Sequence, residues 1–449
     1  MIVYGKHFEK GRDFGDLYVQ TANHSYHPGE TVSGTIFLNL YRPYPGDDLK
    51  LKIKGLEKTC LVWHTEESNY DPIKGVEVRI DKEQITPETA VCLHQKVKIY
   101  DFKGQVLEPG QYSFPFSFKL PLYIPGTFHH IEHRLKASVT YTIEAYLDAK
   151  GDVFPKINYK NRFTVREAPE IKGGDNYKLA ASGSVKTCGC CKDYGTVRVT
   201  ASLDKNIYVP GNTVKVLVEV DNSQSSAAVD SVSFQLKQFI TIKALSKTEF
   251  RSHVVAQATN SAKIQAKQGL TAVEFTFTLP KSPLVSDAFS KDPLMLKRAP
   301  AYQGQFISST THGKLITSRF ALHARASPDV CCAGDVEVVI PCHIVYPAYA
   351  LPPFKQPEKW APKMMPAVVI PVSLNPTYPI DMVPSDPSQQ VSPSYLAQNQ
   401  SVTPGYPTQT SQPTQMNTGT PGPLTYGTMQ DGNTMGTQPT ETTPFITNP

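Results

Sequence analysis

The 449-residue sequence has no run of about 18 apolar residues, the length a membrane-crossing helix needs. Its start, Met1-Ile2-Val3-Tyr4-Gly5-Lys6, lacks the charged segment and apolar core of a secretory leader. The chain is therefore expected to be soluble and intracellular. Cysteine is sparse, with eight residues at 60, 92, 188, 190, 191, 331, 332 and 342. That scatter does not resemble a small disulfide framework, which a chain of this size does not need, and the thiols are expected to be reduced. Also absent are Gly-x-Ser-x-Gly, a phosphate-binding Gly-Lys-Ser/Thr loop and His-Glu-x-x-His, so no enzyme class, cofactor or metal is indicated. No ten-residue stretch carries a helical period of apolar residues.

Proline is plentiful and unevenly placed. Of 38 prolines, 19 lie in residues 350–449, which hold three Lys, five acidic residues and no Arg. Such a tail cannot bury a core and is expected to be disordered. Residues 1–349 keep 42 basic against 35 acidic residues (45 − 3 and 40 − 5), a net of +7. That mild excess suits acidic peptides or peripheral contact with a membrane surface, and falls well short of a nucleic-acid-binding balance.

The chain repeats itself. Tyr26-His-Pro-Gly-Glu-Thr-Val returns as Tyr208-Val-Pro-Gly-Asn-Thr-Val, and Phe116-Ser-Phe-Lys-Leu-Pro returns as Phe275-Thr-Phe-Thr-Leu-Pro. In the first pair, Pro-Gly makes a tight turn that needs positive φ at Gly, and Thr-Val opens a strand. In the second, apolar residues alternate until Pro ends the strand. Leu49-Lys-Leu-Lys-Ile-Lys-Gly alternates without a fault, which puts Lys50, Lys52 and Lys54 together on the face opposite the core. Lys58-Thr-Cys-Leu-Val-Trp-His reads as another strand, followed by a polar insertion to about Pro87. Short strands separated by turns imply antiparallel sandwiches. The expected layout is an all-β fold of two tandem antiparallel immunoglobulin-like sandwiches, at 1–167 and 196–346. A connector at 168–195 joins them, and a disordered Pro-rich tail occupies 347–449.

In combination, the paired Tyr-x-Pro-Gly-x-Thr-Val motifs, Leu107-Glu-Pro-Gly-Gln-Tyr-Ser-Phe-Pro-Phe-Ser-Phe-Lys-Leu-Pro-Leu, the Cys-rich connector, Leu279-Pro-Lys-Ser-Pro-Leu and Ile340-Pro-Cys-His-Ile resemble the α-arrestins, or arrestin-domain-containing proteins. The resemblance covers roughly residues 1–346. It implies two arrestin-like sandwiches and a non-catalytic trafficking adaptor, cytoplasmic and recruited to the plasma membrane or endosomes. Such an adaptor binds cytoplasmic tails of membrane receptors or transporters and recruits a ubiquitin ligase or endocytic adaptor. It also likens Lys50, Lys52 and Lys54 to basic residues with which related arrestins grip phosphate or acidic tails, with a solvated lysine face as the plainer alternative, and likens Arg166 to the arginine of the arrestin polar core. The tail departs from the family pattern: it has no Pro-Pro-x-Tyr, since Pro352-Pro353 is followed by Phe354-Lys355. A structural subunit of a retromer-like membrane coat is the alternative from another class.

What the tail does contain is Asn375-Pro376-Thr-Tyr378, Ser392-Pro393-Ser-Tyr395 and Thr403-Pro404-Gly-Tyr406. Extended Pro-x-Tyr elements suit shallow aromatic-lined grooves, and the Asn-Pro-x-Tyr form favours a tight turn that endocytic adaptors read. Tetrapeptides of this kind also arise by chance in such a composition, and Ser392-Pro and Thr403-Pro also fit proline-directed phosphorylation. Cys188 and Cys191 have zinc-like spacing, and S-acylation is a second alternative, but plain thiols are the expectation. The histidines of Phe-His129-His130-Ile-Glu-His133 have a spacing that could touch a metal, but the expectation is a turn with them facing water.

Overall fold

The computed structural model describes residues 13–378, apart from 72, 74–75, 150–153, 168–176, 187–191, 206, 282–306, 332, 349–353 and 357–358. The described residues form strands and turns and no α-helix, and none of their segments is a helix long and apolar enough to cross a membrane.

The first sandwich is built from β1 (Gly15–Thr21), β2 (Ser25–Tyr26), β3 (Thr31–Leu40), β4 (Tyr44–Asp71), β5 (Val76–Asp101), β6 (Val106–Leu107), β7 (Gly110–Lys119), β8 (Phe128–Glu132), β9 (Leu135–Ala149) and β10 (Ile157–Val165). One sheet runs β1-β3-β7, and the facing sheet runs β2-β10-β9-β4-β5. The second sandwich uses β11 (Tyr177–Lys186), β12 (Asp193–Leu203), β13 (Ile207–Tyr208), β14 (Thr213–Ser225), β15 (Val229–Ala244), β16 (Lys247–Asn260), β17 (Thr271–Thr278), β18 (Thr311–His312), β19 (Ile316–Pro328) and β20 (Val336–Ile344). Its sheets run β11-β12-β14-β17 and β13-β20-β19-β15-β16.

Strict alternation makes these strands two-faced. In β9 every second residue from Leu135 to Leu147 is buried, and in β4 Leu49, Leu51 and Ile53 are buried while the lysines between them point away from the core. The two sequence echoes turn out to be partners in space. β3 pairs with β7, setting Val32 opposite Phe118, and β14 pairs with β17, setting Val214 opposite Phe277. Gly29 and Gly211 take the positive φ that the Pro-Gly turns require, 82° and 87°.

Three segments differ from the sequence-based layout. The polar insertion before Pro87 continues the β4–β5 hairpin, whose register runs unbroken from Leu56 opposite Val91 to Asp71 opposite Val76. Cross-strand pairing carries these strands outward, and the alternation of Val76-Glu-Val-Arg-Ile-Asp fits a strand within the segment first read as a polar insertion. Within the expected connector, Tyr177–Lys186 form β11, paired along β12 from Tyr177 opposite Leu203.

The third difference is in the tail, whose first part is folded onto the first sandwich. β21 (Lys363–Met364) and β22 (Val368–Ile370) lie parallel to β7 and complete its free edge. Phe354 stacks on Phe37 at 4.3 Å, Trp360 meets Phe37 edge-on, and Ile370 is buried. Proline-rich sequence can do this because a parallel edge strand needs only some of its N–H groups bonded. Residues 379–449, including Pro393, Tyr395, Pro404 and Tyr406, lie outside the described residues, as do Cys188, Cys190 and Cys191.

Candidate functional site

Two regions concentrate polar chemistry: the seam between the sandwiches and the outer face of the β10-β9-β4 sheet. The seam is closed by buried hydrogen bonds. Thr59 Oγ1 donates to the Lys243 carbonyl at 2.8 Å, Ser309 Oγ to the Thr127 carbonyl at 2.6 Å and Thr311 Oγ1 to the Gly126 carbonyl at 2.9 Å. At its centre sits Glu57, fully buried on β4 at the inward position that follows Leu51, Ile53 and Gly55. Its carboxylate accepts the backbone N–H groups of Lys314 (3.0 Å), Leu315 (2.9 Å) and Ile316 (3.1 Å), and the Tyr378 hydroxyl. Burial pushes this carboxyl up, against the four hydrogen bonds that pull it down.

Tyr378 belongs to Asn375-Pro376-Thr-Tyr378, expected to be exposed for a partner. It is instead 3% exposed. The Asn-Pro turn does form, with the Tyr378 N–H donating to the Asn375 carbonyl at 2.8 Å, but it turns inward. Asn375 donates from its backbone N–H to the Cys92 carbonyl and from Nδ2 to the Val91 carbonyl. The tetrapeptide thus plugs the seam, and an adaptor could read it only after it leaves.

Arg166, likened above to the arginine of the arrestin polar core, lies in the seam, where its Nε donates to the Tyr346 backbone carbonyl at 3.0 Å. The acid–base pair here is formed by its neighbour. Glu167 accepts from His312 Nδ1 at 2.7 Å, from the His312 N–H at 2.9 Å and from the Gly126 N–H at 2.8 Å. Burial opposes both charges, yet each group outweighs it for the other, holding the Glu167 carboxyl below its ordinary value and the His312 imidazole above its own. His343 nearby is pushed down to about 4 by burial and by the His312 charge.

A raised imidazole contributes stability that is complete below about 6.5 and lost as pH rises through its folded value. A lowered carboxyl contributes stability that is complete above about 4.3 and lost as pH falls through its own. The pair is therefore strongest between those limits. The melting difference between the native chain and His312→Gln is expected to peak near pH 5.5 and to shrink above neutrality. A difference that stays constant to pH 8.5 would sink the ion-pair assignment.

A histidine group on the same seam was expected in solvent. His130 on β8 is 5% exposed, with Nδ1 3.0 Å from Ser308 Oγ and Nε2 3.3 Å from Glu132 Oε2. The hairpin β8–β9 packs against the second sandwich, which is why the histidine predicted to face water is covered.

On the outer sheet face, cross-strand register sorts the lysines. Lys50 is neutralised by Asp148 at 2.8 Å and Asp48 at 3.2 Å, with Lys98 and Lys156 on the same acids. It therefore drops out as an anion-binding candidate. Lys52 and Lys160 flank Glu144 from opposite strands, and Lys54 and Arg162 flank Thr142. With Lys58 they line a concavity of about 310 Å³ in which Glu144 is the one acid. Burial and the charges of Lys52, Lys58 and Lys160 press the Lys54 ammonium below its ordinary value. Lys58, Lys160 and Arg162 escaped sequence reading. Lys58 extends the alternation of Lys52 and Lys54, but only the pairing of β10 with β9 brings the other two alongside.

Comparison with known proteins fits this architecture. The family model described as the arrestin (or S-antigen) N-terminal domain matches residues 15–171, and that of the arrestin C-terminal domain matches 193–349. The chain belongs to the arrestin-domain-containing family. Relatives include arrestin domain-containing protein A of Dictyostelium discoideum, 28% identical over 46% of this chain and 34% of its own length. Arrestin domain-containing protein 17 of Caenorhabditis elegans is 23% identical over 60% of this chain and 62% of its own length. Human arrestin domain-containing protein 5 is 23% identical over 61% of this chain and 77% of its own. This arrestin-domain chain therefore spans about a third and under two thirds of the first two relatives. Its family is one of adaptor-type proteins.

Proposed function

We propose that this arrestin-domain protein is a non-catalytic trafficking adaptor that grips acidic or phosphorylated segments in the cytoplasmic tails of membrane receptors or transporters. It hands them to ubiquitination or endocytic machinery recruited through the tail beyond Pro379. The observation that carries the reading is the concave face of Lys52, Lys54, Lys58, Lys160 and Arg162. Five cations converge there around one carboxylate, and an anionic segment relieves their mutual repulsion. Tyr395 and Tyr406, with Pro393 and Pro404, are the motifs left for recruitment, because Tyr378 is engaged by the seam.

Binding of a polyacidic or phosphoserine peptide to the full chain is expected to weaken roughly tenfold or more in Lys54→Glu/Lys160→Glu, and to fall steeply with salt. Equal affinity in both proteins would refute the cationic site. For the tail, affinity capture from cells should compare the full chain with one ending at Pro379, which keeps every described strand. Loss of ligases or adaptors with retention of membrane cargo is expected. Unchanged capture, with stable coat subunits in both samples, would favour a coat component.

A further inference from the structure

The seam carries a second constellation that the adaptor reading does not use. His130 and Glu132 come from β8 of the first sandwich and His253 from β16 of the second, and their ligand atoms lie within 4.8 Å of one another. Glu132 Oε2 stands 3.3 Å from His130 Nε2 and 3.3 Å from His253 Nε2. All three side chains are largely shielded, with exposures of 5%, 13% and 8%.

We infer that His130, Glu132 and His253 form a binding site for a zinc-class divalent ion that joins the two sandwiches. An ion with ligands at about 2.0–2.1 Å in a tetrahedron has ligand–ligand edges of about 3.3–3.4 Å, the separation already present on two edges of this triangle. Two imidazoles and one carboxylate select zinc, cobalt, nickel or copper over magnesium and calcium, which prefer all-oxygen shells. A water completes the fourth position.

The surroundings are arranged for it. Ser308, itself buried, meets His130 Nδ1, so a ring that donates from Nδ1 to Ser308 Oγ turns the Nε2 lone pair toward Glu132 and His253. Arg251 Nε lies 3.8 Å from Glu132 Oε1, the oxygen that does not face the imidazoles. It orients the carboxylate and leaves Oε2 for the ion. Binding replaces the imidazole–carboxylate contacts by nitrogen–metal and oxygen–metal bonds, and any proton held on either Nε2 leaves to solvent. Because the ligands belong to both sandwiches, occupancy pins the seam.

The test uses the full chain with Cys188, Cys190, Cys191, Cys331 and Cys332 changed to Ser, so that thiolates cannot hold the metal. After chelator treatment it is titrated with Zn²⁺ by calorimetry and with Co²⁺ by visible absorption. One equivalent, a tetrahedral cobalt band and a zinc-dependent rise in the unfolding midpoint are expected. His253→Gln is expected to weaken binding tenfold or more and to abolish the rise. Glu132→Gln serves as the second variant, should His253→Gln fail to fold. Absence of a stoichiometric site in the parent protein, or equal binding in either folded variant, would overturn the assignment.

Discussion

Glu57→Ala is expected to destabilise the protein by about 3–5 kcal/mol, because removing one partner leaves several buried donors without an acceptor. Those donors are the N–H groups of Leu315 and Ile316 and the Tyr378 hydroxyl, while the Lys314 N–H keeps Tyr378 Oη as a second acceptor at 2.9 Å. At about 2–4 °C per kcal/mol for a domain of this size, the unfolding midpoint should drop by about 10 °C. The site cannot recover by collapse, since the carboxylate bridges two sandwiches and a tail segment. Gly313 marks how tight the fit is: a Cβ there would stand 2.2 Å from Glu57 Oε2, so Gly313→Ala should expel the carboxylate and reproduce part of the loss.

Tyr378→Phe separates the tail from the seam. It deletes the hydroxyl while Lys314 keeps Glu57 as acceptor, so the cost falls mainly on the docked segment, at about 1.5–3 kcal/mol for a bond to a carboxylate. Hydrogen exchange should accelerate at the amides of residues 363–370 and change little in the sandwich cores. Exchange as slow as in the native chain would show that β21 and β22 hold the segment without the plug. Because β7 is covered along this edge, a cargo strand could add there only by displacing the chain's own strands.

The second large effect concerns the repeated tyrosines. Tyr26 and Tyr208 are 1% and 2% exposed, and each uses its hydroxyl to hold the loop just before it. Asn23 N–H donates to Tyr26 Oη at 2.9 Å; Tyr208 donates to Asp204 Oδ1 at 2.8 Å and accepts from the Lys205 N–H at 3.2 Å. Each tyrosine also ends a short parallel pair with the last strand of its sandwich, Tyr26 opposite Val165 and Tyr208 opposite Ile344. Truncation to Ala should cost about 3–5 kcal/mol, and truncation to Phe about 1 kcal/mol or slightly more. In calorimetry, Tyr26→Ala should lower unfolding of the first sandwich and Tyr208→Ala that of the second. Equivalent small losses for Ala and Phe at either position would mean that the ring is not part of the core.

The sequence alone determined what depends on near neighbours in the chain. The alternation of Leu49, Leu51 and Ile53 against lysines assigned a face to each residue, because side chains in a strand switch sides at every step. The Pro-Gly turns before Thr31 and Thr213 required positive φ and obtained it. Repetition of both motifs, together with the resemblance they carry, was enough for two tandem sandwiches. Glu57 also left a trace, as an acid at an inward position of β4, but its donors lie more than 250 residues away.

What only the tertiary structure decided are the pairings across that distance. Whether a lysine is free for an anion depends on which acids its neighbouring strands bring, so Lys50 is neutralised by Asp148 while Lys54 faces Lys160. Composition described the tail as unable to build a core, which is true of it alone. Residues 354–378 use a core and a strand edge that the first sandwich supplies. Likewise nothing local placed His130 beside His253. Their meeting follows from two hairpins, each explicable by itself, packing across one seam.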